Sequence, residues 1–271
     1  MRYEVWKEIK LKLSFGGMKE SSARQAMRPV LAFLVSIACA ATLTAQGTPI
    51  AGRWKVVPSP NGGNQAEGNV LLATSALSST DAWAVGAEPN PSQYLTATLA
   101  EHWDGTQWSI IPTPPISAPT VQLNSIAAVN SSEVWAAGFS DDPNCLCGQT
   151  VVEHWNGGGW TRLTTPNPGV ADYLTGIAAI SATDVWAVGY EWISNITEIP
   201  LLLHYNGTIW KPINPSRLRL GQLSSVFARA TNDVWAVGWT GIVPNVKALA
   251  LHWNGTSWKK GWHFPPRAAA G

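Results

Sequence analysis

Four carboxylates and four histidines recur at matched spacing: Asp81, Glu133, Asp184 and Asp233, and His102, His154, His204 and His252. Such residue types do general acid–base chemistry or bind metals. Their repetition points elsewhere. A catalytic or metal centre needs one convergent constellation, and these are equivalents spread through the chain. Each carboxylate follows Ser, Thr or Asn, so the expectation is a side chain that satisfies turn backbone. Each histidine is expected to hydrogen-bond the backbone of a neighbouring unit. The Glu-His-Trp triplets at 101–103 and 153–155 are read the same way.

Cys145-Leu-Cys147 occurs once. It is half of a metal site with Asp141 and Asp142 nearby, or a tight disulfide that pins its loop, or a pair of free thiols. In an oxidising compartment the disulfide is the favoured reading. Other unrepeated acids are Glu88, Glu191 and Glu198. Glycoside hydrolysis would need two such carboxylates about 5–10 Å apart. Nothing in their spacing pairs them, and no Arg cluster accompanies them. No catalytic residue, metal site or cofactor is assigned.

These residues sit in a repeat. Asp81-Ala-Trp-Ala-Val-Gly86, Glu133-Val-Trp-Ala-Ala-Gly138, Asp184-Val-Trp-Ala-Val-Gly189 and Asp233-Val-Trp-Ala-Val-Gly238 are one segment, with Trp83, Trp135, Trp186 and Trp235 spaced by 52, 51 and 49 residues. A second segment follows each: Glu101-His-Trp-Asp-Gly-Thr-Gln-Trp108, Glu153-His-Trp-Asn-Gly-Gly-Gly-Trp160, Leu203-His-Tyr-Asn-Gly-Thr-Ile-Trp210 and Leu251-His-Trp-Asn-Gly-Thr-Ser-Trp258. Self-similarity at this period marks a repeat architecture. Each unit reads as four short strands. Strand a is a small apolar run such as Ile126–Val129, and strand b is the Val-Trp-Ala-Val-Gly segment. Strand b is apolar at successive positions, which predicts burial on both faces. Strand c ends at His-Trp, Asn-Gly or Asp-Gly predicts a type I′ hairpin, and strand d runs from the closing Trp to Pro-rich sequence. Four antiparallel strands per repeat describe a propeller blade. The chain is therefore expected to be an all-β protein, a β-propeller of four-stranded antiparallel blades at about 69–112, 121–166, 172–214 and 221–264, with a tail at 265–271. A parallel β-helix is the structural rival, but it would not need a hairpin turn in every repeat.

A Gly-ended strand, an aromatic followed by Asp or Asn, and a Trp after a Gly-containing turn resemble kelch-type repeats. The resemblance is nearest to the bacterial Val-Trp-Ala-Val-Gly variety grouped with the galactose-oxidase central domain, and it covers about residues 52–264. Kelch repeats usually end strand b with a Gly pair, whereas Gly86, Gly138, Gly189 and Gly238 stand alone. The resemblance implies a propeller and little about activity. Galactose oxidase's metal-binding residues have no counterpart motif here.

The strand count does not close. Gly52-Arg-Trp-Lys-Val-Val-Pro-Ser-Pro60 matches strand d, with Trp54 aligned to Trp108, Trp160 and Trp210, giving five strand-d segments for four a–b–c sets. The expectation is an incomplete ring belonging to a longer chain. Residues 24–45 have the layout of a secretory signal: Arg24 and Arg28, the apolar Val30–Leu43, then small residues at 38–40 or 43–45. Val30–Leu43 is too short to span a bilayer. Cys39 raises a lipoprotein route, but Ser36 fits poorly at the third position before a lipidated Cys. Residues 1–17 read as a misassigned start and 18–45 as the signal, which places the mature domain, from residue 46, outside the cell or in the periplasm. The first 45 residues carry a net +4 and the remainder −3. A mildly acidic domain without a basic stripe argues against nucleic acid as a partner, and no span is expected in it.

The a–b and c–d turns are nearly identical between repeats, while the b–c loops (87–98, 139–150, 190–200 and 239–248) all differ. The aromatics freed from the template, Tyr94, Phe139, Tyr190, Trp192 and Trp239, gather on the face those loops share. Binding commonly resides in loops on a rigid scaffold. The expected function is an exported, non-catalytic binding or scaffold module for a protein or glycan. The rivals are a carbohydrate-active hydrolase or lyase with its site at the axial mouth, and the sensor region of a larger signalling protein.

Overall fold

The computed structural model describes residues 55–60, 68–90, 95–141, 147–194, 197–213, 220–242 and 244–260. Residues 1–54, which include the leader and Trp54, lie outside the described residues, as do Tyr94, Asp142 and Cys145. Among the described residues no helix is long and apolar enough to cross a membrane.

Among the described residues, sixteen strands form four antiparallel sheets of four. The first holds β1 (Val70–Ser78), β2 (Asp81–Asn90), β3 (Leu95–Trp103) and β4 (Trp108–Ile110). The second holds β5 (Thr120–Asn130), β6 (Glu133–Asp141), β7 (Gln149–Trp155) and β8 (Trp160–Leu163). The third holds β9 (Ala171–Ser181), β10 (Asp184–Ser194), β11 (Thr197–Tyr205) and β12 (Trp210–Pro212). The fourth holds β13 (Gly221–Ala230), β14 (Asp233–Thr240), β15 (Lys247–Trp253) and β16 (Trp258–Lys260). In every sheet the spatial order is the chain order, a four-stranded meander, and the sheets pack face to face in sequence as propeller blades. Among the described residues they pack in series, blade 1 on 2, 2 on 3 and 3 on 4.

The b strands explain the successive apolar residues. Along β6 and β10 every position from Val to Gly is buried, because a blade lies against each face. Three separate cores result, one between each pair of consecutive blades. Each is built on the strand-b Trp of one blade inserted against two rings from strands c and d of the next. Trp83 meets Trp155 and Trp160 at 5.1 and 5.5 Å, and Trp186 meets Trp253 and Trp258 at 5.4 and 5.3 Å. Trp135 meets Tyr205 and Trp210 at 5.2 and 6.1 Å.

Strand a carries a bulge in each blade, at Leu72, Asn124, Thr175 and Ser224. Two of the bulged side chains stitch blades together. Asn124 Nδ2 donates to the Leu174 carbonyl at 2.7 Å, and Thr175 Oγ1 to the Leu223 carbonyl at 2.7 Å. Opposite the bulge stands the glycine that ends the strand-b motif. A Cβ on Gly138 or Gly189 would collide with the strand-a carbonyl of Gln122 or Tyr173, so no other residue allows that approach.

The c–d connection departs from the expected two-residue type I′ hairpin. Trp103 pairs with Trp108, leaving four residues in the loop. Asp104 Oδ1 accepts the N–H groups of Thr106 and Gln107, and Asn156, Asn206 and Asn254 do the same in their blades. The glycine of each loop is left-handed, with φ of 87° to 94°. The side chain adds these bonds to a backbone bond across each loop, from the N–H of Asp104, Asn156, Asn206 or Asn254 to the carbonyl three residues on at 3.3–3.4 Å.

Residues 55–60, the described part of the expected strand d at 52–60, are not paired into a sheet. The outer edge of every sheet is already filled by β4, β8, β12 or β16. The segment instead lies against blade 1, where Ser59 Oγ donates to Glu101 at 2.7–2.9 Å.

Candidate binding face

The repeated polar residues form one constellation per blade, and its wiring corrects two expectations. Each His Nε2 meets the strand-b carboxylate of its own blade, at 3.0 Å (His102–Asp81), 2.6 Å (His154–Glu133), 2.8 Å (His204–Asp184) and 2.9 Å (His252–Asp233). It does not bond a neighbouring blade's backbone. The imidazole and carboxylate are brought together because Trp135 and His154, and their counterparts, are direct cross-strand partners. That same pairing lays the imidazole over the strand-b indole at 4.1–4.5 Å. The a–b turn is capped by other groups: Ser78 and Ser181 Oγ and Asn130 Oδ1 accept the N–H two residues on. The carboxylates are thus positioners of histidine, not turn caps. Among the described residues no three His, Cys, Asp or Glu gather as metal ligands.

The variable face is different. The a–b rung just beyond the strand-b glycine pairs Val70 with Ala87, Gln122 with Phe139, Tyr173 with Tyr190, and Gln222 with Trp239. Three of the five sequence-selected aromatics therefore occupy one structural position in blades 2, 3 and 4. They join an arc. Phe139 meets Tyr173 edge-on at 4.9 Å, and Tyr173 stacks on Tyr190 at 5.1 Å. Trp192 lies two residues beyond Tyr190 on the same face of β10, opposite Glu198. Glu198 Oε2 accepts from Gln222 Nε2 of blade 4 at 2.7 Å, and Gln222 is the partner of Trp239. Phe139, Tyr190, Trp192 and Trp239 are all partly exposed.

Carboxylates punctuate the arc. Asp141 Oδ2 accepts from the Tyr173 hydroxyl at 3.1 Å. Burial and the nearby Asp141 hold the Tyr173 hydroxyl far above its ordinary pKa, and burial with Glu198 and Asp141 pushes Tyr190 up to about 12. Both phenols therefore stay protonated donors at any working pH. Asp172 and Glu191 are direct cross-strand partners buried beneath Gly169, whose N–H donates to Asp172 at 3.1–3.2 Å. Burial raises Asp172 to about 6, and burial plus Asp172 raises Glu191. Glu88 stands apart in blade 1, paired with Ala97.

Cys147 is disulfide-bonded. Beside it, the Gly148 carbonyl accepts the Asp172 N–H at 2.8 Å, and Gly148 lies against the Tyr173 ring, so the blade 2 loop is fastened to the arc. Tyr173, Asp172 and Gln222 were not singled out from the sequence. For the first two the signal was a departure at the start of strand a, where Tyr173 aligns with Gln122, Gln222 and Val70, and Asp172 with Val121. At the blade 4 end, a depression of about 580 Å³ is lined by Thr240, Gly241, Ile242, Asn245 and Lys247, next to Trp239 in the chain.

No known family profile matches the chain, and no curated protein does. Solved structures do. A Ycf48 bound to a D1 peptide is 14% identical with a TM-score of 0.33, over 71% of this chain and 82% of that one. A fucose lectin from Kordia zhangzhouensis in complex with methyl-fucoside is 12% identical with a TM-score of 0.36, over 51% and 98%. A PL25 ulvan lyase, a polysaccharide lyase, is 10% identical with a TM-score of 0.46, over 76% and 59%.

Proposed function

We propose that this protein is an exported, non-catalytic binding propeller of the kelch-like type that takes a glycan or protein ligand on its variable loop face. The observation that supports this is the arc itself. Aromatic rings at one rung of three consecutive blades are interleaved with phenol donors and with Asp141, Glu198 and Gln222. Flat apolar faces beside fixed donors and acceptors suit ring-by-ring contact along an extended ligand. Alternation of that kind favours a glycan over a protein surface. The leader pattern at residues 18–45 and the disulfide at Cys147 support export. Glycan-array binding by the purified protein and by a Trp192→Ala/Trp239→Ala variant tests the reading. Binding lost by at least tenfold, with unchanged melting temperature, is the expected result. Binding that survives the double substitution removes the arc as the site.

The carbohydrate-active alternative draws on one observation, the adjacent Asp172 and Glu191, carboxyl groups kept protonated further toward neutrality than usual. Both lie beneath the loop at Gly169, which favours a structural role. Turnover of an array-selected glycan that Glu191→Gln abolishes would reverse this preference.

A further inference from the structure

Asp172 on β9 and Glu191 on β10 are direct cross-strand partners, so their carboxyl groups share one face of blade 3. Asp172 is 0% exposed and Glu191 5% exposed. Two carboxylates removed from water are costly unless positive charge accompanies them. None does. Among the described residues no Lys, Arg or His pairs with either acid. The Asp172 carboxylate accepts a single N–H, that of Gly169 at 3.1–3.2 Å. Glu191 has no hydrogen-bond partner among the described residues, although it is nineteen-twentieths buried.

The backbone closes in on this pair. A Cβ on Gly169 would stand 2.8 Å from the Trp192 carbonyl oxygen and 3.0 Å from both Asp172 Oδ1 and the Glu191 Cβ. Any side chain there would push those groups apart, and glycine lets them meet. The loop is fastened on both sides of that point. The Val170 N–H donates to the Trp192 carbonyl at 2.7 Å, and the Asp172 N–H donates to the Gly148 carbonyl at 2.8 Å. The Trp192 oxygen keeps a second lone pair free of that bond. Carboxylate and peptide oxygens therefore converge at a spot where the protein supplies almost no donor.

We propose that the carboxylates of Asp172 and Glu191 hold a calcium ion at the junction of β9, β10 and the loop at Gly169. Two carboxylates balance its double charge. Its about six to eight oxygen ligands, at flexible angles, admit the Trp192 carbonyl and water beside them. Magnesium demands a regular octahedron and dehydrates reluctantly, so it is the weaker occupant. Zinc favours sulfur and imidazole, which this donor set lacks. The ion joins the ends of the two strands that carry Tyr173, Tyr190 and Trp192. It is a separate site from the arc, and it stands whether or not the arc takes a glycan.

Scanning calorimetry of the full protein near neutral pH, with about 5 mM calcium or with EDTA, tests this above the ~0.1–1 mM affinities of extracellular calcium modules. The wild-type melting temperature is expected to rise by about 2 °C or more in calcium, and by less in magnesium. Glu191→Gln keeps the shape and removes the charge. It should lose the calcium response and melt in EDTA no lower than the wild type, because the uncompensated charge is gone. Glu88→Gln, in blade 1, is the control and should respond as the wild type does. Titration calorimetry with calcium alone should find one site in the wild type and in Glu88→Gln, and none in Glu191→Gln. A wild type indifferent to calcium overturns the proposal and leaves the pair to a shared proton. A response that survives Glu191→Gln overturns it as well, as does one that Glu88→Gln weakens equally, the mark of diffuse binding to surface acids. Should Glu191→Gln fail to fold, Asp172→Asn supplies the same arm.

Discussion

Strands β10 and β14 open with the same six residues, Asp-Val-Trp-Ala-Val-Gly, and have opposite fates. In blade 3, Trp186 and Val188 are 1% and 0% exposed; in blade 4, Trp235 and Val237 are 37% and 42% exposed. Their other faces, Val185 and Ala187 in one and Val234 and Ala236 in the other, are equally buried. Local pattern therefore fixes the strand and its register, and the neighbouring blade fixes whether the pattern stabilises anything. The repeated motif is one half of a contact.

The comparison is broken most severely at the tryptophans. Trp186→Ala removes a ring packed by Trp253, Trp258 and His204 and is expected to destabilise by about 3–5 kcal/mol, against about 1 kcal/mol for Trp235→Ala, by chemical denaturation of the monomer. Equal losses would mean that blade 4 is covered in solution.

The next effect compares interfaces. Strand c places Glu153 between blades 1 and 2, where blades 3 and 4 have Leu203 and Leu251. Glu153 is fully buried, accepts only from Thr98 of blade 1 at 3.1 Å, and its Oε2 has no hydrogen-bond partner. Burial, only partly offset by Thr98 and Arg162, raises its pKa from 4.5 to about 7. A raised carboxyl pKa means the folded state holds the proton more tightly, so its stabilising contribution is complete below about pH 4.5 and is lost as pH rises through about 7. Glu101, Asp172 and Glu191 shift in the same direction. Thermal melting from about pH 5 to about pH 8 should show falling stability in the wild type. Glu153→Leu, which makes this interface resemble the other two, should flatten that slope and recover on the order of 2 kcal/mol above neutrality. An unaltered slope would assign the pH dependence to the other three acids.

The smallest effect sharpens the contrast by being equal on both sides. The c–d turn is closed within each blade, so Asn206→Ala and Asn254→Ala should each cost about 1 kcal/mol in the same denaturation assay. A much larger loss at Asn206 would show that turns, too, depend on the next blade.

The repeat, the four-strand meander and the doubly buried strand b were all legible in the sequence, because periodicity and hydrophobic pattern are local. Phe139, Tyr190 and Trp239 were legible as departures from the template. Tyr173 and Asp172 depart from the template too, but they and Gln222 precede the bulges at Thr175 and Ser224, which hide the face they share. A bulge shifts which residues face one another, and nothing in the composition of strand a announces it. The histidine wiring was missed for a related reason. A carboxylate after Ser or Thr reads as a turn cap, and only the cross-strand register reveals that His154 stands beside Trp135 with Glu133 in reach.

The Trp-against-next-blade arrangement also dictates how the chain matures during synthesis. The indole of Trp83 cannot be covered until Trp155 and Trp160 have been made, and Trp135 waits likewise for Tyr205 and Trp210. Each blade emerges with one sticky side, which is satisfied only by the blade after it. Growth is thus a relay in which the newest unit is always the vulnerable one, and a stalled ribosome would leave a single bare tryptophan face whichever blade it had just completed.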